Sequence, residues 1–358
     1  MKRIFLFLSL FSLLFGKEGG ELFFYANSFV ANNAVSLKTL SSSWEGSYKT
    51  PKGGFKSVIF SDFKIGYEKR DFSFAYFWKA EFILKAHKDF ADLLYAVKNE
   101  EDLEEGRVYN LDLAAEGFVA DGVEFGKKVF SYRNGALSLS LNAFFSILNG
   151  RFVQDLKIDG FALATAKKSY EFSSRMEYFY SENYVYDLEV NRPRGLGYDT
   201  SFSFSLEYGK YSFFVNAENL LGYIYWENAP YSRVRLKSDN AVKDENGYTK
   251  YNPTVYGYEG ERNFKQRLKS RWSFKAGYEA ESFSVFLGED YVWGVGMPSL
   301  EIVKDFKDCF LSLKYETLFD TFTISLKHKN FYVFLGGDTL NLNRAKSVAA
   351  GAGIRYLF

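Results

Sequence analysis

Runs of about ten residues in which apolar and polar side chains alternate recur from one end of this chain to the other. Residues 198–208 put Tyr198, Phe202, Phe204, Leu206 and Tyr208 on one phase and Asp199, Ser201, Ser203, Ser205 and Glu207 on the other. Residues 137–147 set Leu137, Leu139, Leu141, Phe145 and Ile147 against Ser138, Ser140 and Asn142. Residues 72–84 and 170–180 repeat the pattern, with Lys79 and Glu81 opposing Phe74, Tyr76 and Trp78, and Glu171, Arg175 and Glu177 opposing Tyr178. A period of two belongs to a strand. Wound into a 3.6-residue repeat, the same charges would fall on every face. About ten residues is also the length that crosses a bilayer at a tilt. The predicted fold is all-β, a closed antiparallel transmembrane β-barrel of about 14 strands, within 12–16, since single-chain bacterial barrels take even numbers.

A secreted β-sandwich also alternates, with its polar face outward. Size and composition favour the barrel. One class of strand fills the whole length, and 39 Phe and 27 Tyr make 20% of the chain aromatic. The mean hydropathy of −0.22 is no objection, because each barrel strand averages a greasy face with a wet one. Only five Pro stand in the way of strands. The single Cys309 makes no internal disulfide. Lys plus Arg (45) balances Asp plus Glu (44), so nothing favours a nucleic-acid partner.

The amino terminus reads as a signal peptide over 1–16: Lys2 and Arg3, an apolar run from Ile4 to Phe15, then Gly16 before charge. It implies export, here to the outer membrane of a Gram-negative bacterium. Residues 17–55 precede the first clear strand, and their alternatives are a lumen plug, a periplasmic tail or one extra strand. The barrel itself is expected over 56–358. The runs at 123–132 and 299–305 are the weakest of the set. Hairpin turns are expected at Lys69-Arg70, Arg133-Asn134-Gly135, Gly209-Lys210 and Lys329-Asn330. Three connections are long: 85–107, with Phe90, Leu93, Leu94 and Val97 at helical spacing, then 183–197, and then 222–263. Counting strands back from a periplasmic carboxyl terminus puts the last two outside the cell and 85–107 in the periplasm.

If the apolar faces meet lipid, the charged faces line the interior. The expected lumen residues are Lys79, Glu81, Asp112, Glu116, Glu171, Arg175, Glu177, Glu207, Arg271, Lys275, Lys314, Glu316, Lys327 and Arg355. Asp62, Lys64, Glu218 and Glu279 share their phase. Such a set can form a polar pathway or a lattice of cross-strand ion pairs in a filled lumen. No catalytic residue, metal ligand or cofactor is expected. There are two histidines only, His87 and His328, and neither accompanies a Ser in a hydrolase arrangement. The acids of 239–246 do not follow the spacing of a calcium loop.

The last residues carry a resemblance. Val348, Ala350, Ala352, Ile354, Tyr356 and Phe358 alternate with small residues and Arg355. Gly353, Tyr356 and Phe358 resemble the carboxyl-terminal signature of bacterial outer-membrane proteins, departing from it at Gly351. The resemblance implies outer-membrane lipid and the barrel-assembly machinery as partners. The string from Asn219 to Tyr231, with Tyr223, Tyr225 and Trp226, loosely resembles uncharacterised proteobacterial barrels similar to fatty-acid transporters. Its aromatics equally suit an interface girdle. The function expected is passage of a small solute, hydrophobic ones included. The alternative is a non-transporting surface barrel for adhesion or envelope structure.

Overall fold

The computed structural model describes residues 19–40, 42, 44, 48–184, 190–238, 241–243, 249–251 and 254–357. The expected signal peptide and Phe358 lie outside the described residues. In chain order the elements are β1 (Gly20–Asn32), β2 (Phe55–Lys69), β3 (Phe72–Ala86), α1 (Lys88–Lys98), β4 (Val108–Asn110), β5 (Leu113–Asn134) and β6 (Leu137–Ala166). Next come β7 (Ser169–Tyr180), β8 (Arg194–Tyr208), β9 (Tyr211–Glu218), β10 (Tyr223–Lys237), a small hairpin of β11 (Ala241–Lys243) and β12 (Thr249–Tyr251), and β13 (Thr254–Arg267). The chain closes with β14 (Arg271–Glu279), β15 (Phe283–Val292), β16 (Val295–Asp305), β17 (Cys309–Glu316), β18 (Thr321–His328), β19 (Phe331–Gly337) and β20 (Ser347–Leu357).

Antiparallel pairing runs β1–β2–β3–β5–β6–β8–β9–β14, then through β15 to β20 in order, and β20 returns to β1. Closure leaves no edge and satisfies the backbone of every wall strand within the sheet. The continuous sheet holds 18 strands, and the closed barrel within it falls in the expected 12–16. Fourteen of them make the circuit, by the pairings above, and β4, β7, β10 and β13 join it at one end.

The end that carries the carboxyl terminus has only tight connections, as expected at 69–71, 133–136, 209–210 and 329–330. Arg70, Gly135, Gly209 and Lys329 there have positive φ, the backbone a two-residue hairpin turn demands. The long connections 33–54, 87–112, 181–193 and 238–253 all sit at the opposite, far end. The expected helix exists as α1, but on the same side as the other long connections, which corrects its assignment. The cause is that 170–180, expected as a full crossing, is β7, which pairs only with the later part of β6 and shares one pass with β8. The run 123–132 is absorbed in β5 and the later part of β6 continues 137–147, which together leave the side unchanged. The weak run 299–305 likewise is a wall strand, part of β16. Much of 222–263, expected as a loop, is the pair β10 and β13.

Of the alternatives for 17–55, the extra strand is the one found. Gly20–Asn32 is a wall strand, paired along its length with β2 on one side and β20 on the other. Its sequence hid this. Phe23 and Phe24 are adjacent, as are Phe29 and Val30, so neither phase is polar. The described residues of 33–54 pack with α1 at the far end.

Two features shape the far end. First, β6 spends its early residues on β8 and its later ones on β7, while β10 pairs with β8 over Tyr223–Glu227 and with β7 over Tyr231–Lys237. Strands β6, β7, β10 and β13 therefore continue the wall past the circuit as a vestibule. Second, α1 and the 33–54 connection cover the outer face there, burying Val35, Trp44 and Phe55 with Ala86, Ala91 and Leu113. Elsewhere the outer face is bare and apolar: Phe213, Leu287, Ile302, Leu313, Ile324, Leu335 and Ile354 are all exposed, Leu287 at 66% and Leu335 at 67%.

Candidate functional site

Lys79 of β3 donates from Nζ to Asn219 Oδ1 at 2.8 Å and lies 3.5 Å from Asp199 of β8. Strands β5 and β6 stand between β3 and β8 in the wall, so these groups meet across the interior. Register then fixes the inner phase of every strand. Phe204 and Leu139 fall on the outer phase, and Glu207 and Ser138 on the inner one. Tyr178 is on the outer phase but 2% exposed, because its hydroxyl contacts Gln154 and the Glu182 carbonyl beneath the 181–193 connection.

The interior is narrowed by the wall's own corners. Asn219, with φ 56°, turns the chain between β9 and β10 and donates from Nδ2 to Glu81 Oε2 at 2.8 Å and to the Lys269 carbonyl at 3.2 Å. Lys269, in the corner between β13 and β14, reaches Glu116 of β5 at 2.7 Å. Gln266 donates to the Gly117 carbonyl at 3.1 Å and accepts from Trp226 Nε1 at 3.0 Å. Trp226 packs there with Ile224, Leu148, Val153 and Leu268 as a buried plug. Its ring lies over Gly150 and Gly195, where an added Cβ would sit 2.5 and 2.7 Å from ring carbons. A side chain at either position would collide with it.

A second intrusion comes from the Trp293-Gly294 turn between β15 and β16. Lys85 donates to the Trp293 carbonyl at 2.7 Å, with its ammonium 4.2 Å from the ring centroid. Val292, Val295 and Met297 pack on Ala31, Val58, Phe60 and Ile83 of the facing strands.

Among the described residues lie chambers of 490 and 380 Å³ that share Asn27, Asp62 and Arg271. The larger mixes Phe23, Tyr25, Phe77 and Phe144 with Lys64, Lys79 and Glu218; the smaller adds Phe60, Asp290 and Glu316. Charges in so confined a space persist only when paired. Lys64 meets Glu124 at 2.8 Å, Arg271 meets Glu218 at 2.9 Å, Lys275 meets Glu301 at 2.7 Å and Lys314 meets Asp290 at 3.4 Å. Glu316 instead accepts from the backbone N–H groups of Leu318 and Phe319.

Of the expected lumen residues, Lys79, Glu81, Glu116, Arg271, Lys275, Lys314 and Glu316 gather in this core. Glu207, Lys327 and Arg355 are on the inner phase nearer the terminal end, where Arg355 pairs with Glu21 at 2.7 Å. Glu171, Arg175 and Glu177 face inward from β7, hence into the vestibule rather than the circuit. Asp112 is corrected: it is an exposed residue of the connection before β5, its N–H held by Asn110 Oδ1 at 2.7 Å. Gly353 faces inward against the Tyr332 ring, and Tyr356 faces outward and is exposed. Asn219 and Lys269 were missed because corners interrupt the alternation that reveals the rest; Gln266, in β13, is uncharged and was not among the expected lumen residues.

No protein-family model matches this chain. No curated protein matches it. Among solved structures it is similar to a chain described as the TodX deltaS2S3 mutant monoaromatic hydrocarbon channel, at 8% identity and a TM-score of 0.45, over 96% of this chain and 91% of that one. It is also similar to a FadL homologue of Pseudomonas aeruginosa, at 8% identity and a TM-score of 0.24, over 94% of this chain and 88% of that one. At those scores the likenesses carry no argument, and the barrel assignment rests on the strand pairing.

Proposed function

We propose that the chain is an outer-membrane barrel of a Gram-negative bacterium that passes a small solute, apolar ones included, through its interior. The apolar belt supports the membrane reading, because an exposed girdle of Leu, Ile and Phe around a closed barrel is a liability in water and a fit to hydrocarbon. Lipid and the assembly machinery would then be its partners, with the terminal end in the periplasm and the long connections outside. The observation that carries passage is the chamber of 490 Å³, lined by rings and paired charges and capped by Trp226 and its corner rather than by an inserted domain. A channel rather than an enzyme is the reading, since His87 serves as the N-cap of α1 and His328 ends a wall strand at the tight-turn end.

A planar-bilayer measurement tests it. Wild type should show small or intermittent conductance, and Trp226→Ala should raise the single-channel value by removing the cap. Silence from both proteins would sink the transport reading and favour the non-transporting barrel, for which the hydrogen bonds spanning the lumen speak.

A further inference from the structure

Register places Arg175 of β7 directly opposite Arg235 of β10. Both side chains are exposed on the inner face of the vestibule, in a concavity of 540 Å³ that Tyr256 of β13 also lines. Like charges facing each other across a strand pair are destabilising. The two acids of the concavity are outnumbered: Asp159, opposite Arg175 in register, is with Lys157 at 3.5 Å and Glu177 is with Arg233 at 3.2 Å, which leaves two guanidinium groups in surplus. Neither Arg175 nor Arg235 forms an ion pair among the described residues. Two free guanidinium forks on one concave face match the planar geometry of a carboxylate or phosphate.

Tyr256, opposite Arg235, is the ring beside the pair, and past the Glu177–Arg233 ion pair an aromatic wall continues on the same inner phase. Phe179 and Tyr231 have ring centroids 4.5 Å apart, Phe179 stacks on Phe264 at 4.0 Å, and Tyr231 meets Tyr258 at 5.7 Å. Phe179 and Phe264 pack in turn against the Trp226 plug. The vestibule thus offers an anion clamp and a surface of rings leading from it to the cap of the lumen.

We propose that this vestibule docks a solute made of a flat apolar body bearing one oxyanion, its charge held by Arg175 and Arg235 and its body against the exposed rings of Tyr256 and Tyr258. This deepens the passage reading and rests on it for the meaning of docking, though not for its detection. The test is calorimetric titration of the full-length barrel in detergent with benzoate as the probe, against benzyl alcohol (the ring without the charge) and acetate (the charge without the ring). Benzoate should bind more tightly than either. Arg175→Gln and Arg235→Gln should each weaken benzoate about tenfold while leaving benzyl alcohol unchanged. Tyr256→Leu should weaken benzoate and benzyl alcohol together. Heat-modifiable gel mobility checks that each variant is folded; the arginines are exposed, so their removal should not disturb it. Benzoate binding no tighter than benzyl alcohol, or indifferent to both arginine substitutions, would overturn the proposal. Because binding in detergent needs no flux, a barrel silent in bilayers that still selects benzoate sinks only passage, and one that conducts without selecting benzoate sinks only the clamp.

Discussion

At the scale of single residues, the alternation told which face a side chain takes but not what it would find there. Ser203 and Phe204, or Ser138 and Leu139, were legible because each neighbour pair differs sharply in polarity. Trp226 was not. In the string from Asn219 to Tyr231 its ring looks like one more member of an interface girdle, and Tyr225 does face outward, 45% exposed. One position on, Trp226 faces inward and is buried. The signal was present in Gly150, Gly195 and Gly197, which clear room for it and for Ile224, but the sequence does not say which ring a glycine makes room for. This contact makes a prediction. Gly195→Val should destabilise the barrel by about 1–3 kcal/mol through overpacking. Adding Trp226→Ala should remove most of that cost, since two residues in contact are not additive. Urea unfolding of the four proteins of the cycle measures it, and additive effects would mean that the ring does not rest on the glycine.

At the scale of elements, strands with one wet face were readable, and the exceptions have physical causes. Strand β1 stood only as one alternative because its inner face packs partly on other protein rather than on water; Phe29 and Ala31 meet Phe319 and the cluster around Val292. The helix was readable from its spacing, yet its neighbours were not. Asp89 and Asp92 both bind the Arg107 guanidinium, at 3.0 and 3.3 Å, and Asp92 also accepts from the Tyr48 hydroxyl at 2.5 Å. This latch ties α1 to the 33–54 connection. Burial alone would raise the Asp89 pKa, but the Asn110 N–H and Arg107 outweigh it and hold it below the usual carboxylate range. Burial, then the Asp92 carboxylate, pushes the Tyr48 phenol up, so it stays a donor at neutral pH. A carboxyl with a depressed folded pKa contributes stability above its unfolded pKa, near 4, and loses it as pH falls through the folded value. Hydrogen exchange over 33–54 and 88–98 should therefore be slow and flat from pH 8 to 5, after correction for intrinsic rates, and should quicken below about pH 4. Asp89→Asn should abolish much of that acid step; an unchanged step in the variant would assign the latch elsewhere.

At the scale of the whole molecule, closure and sidedness of the faces were in the sequence, while the height of the wall was not. Alternation in β6 changes phase at a bulge around Arg151, between its β8-paired and β7-paired parts, but an alternating pattern alone does not say that the partner changes there. The outer face does mark it: above that level Trp44, Phe55 and α1 cover the apolar stripe, and below it the stripe is bare. That contrast yields a paired prediction on β18, whose neighbouring residues Ile324 and Ser325 face opposite sides. Ile324 is exposed on the outer phase opposite Leu313, and Ser325 lies on the inner phase opposite Ser312, against the smaller chamber. In lipid, Ile324→Arg should cost on the order of 2–4 kcal/mol if the residue lies near the bilayer midplane. Ser325→Arg should cost much less, because a lumen holding Asp290 and Glu316 can solvate or pair the new charge. Equilibrium unfolding from liposomes compares the two. Equal costs would mean that the belt is not seated in hydrocarbon, and a soluble or peripheral barrel would then be the better account of the same strands.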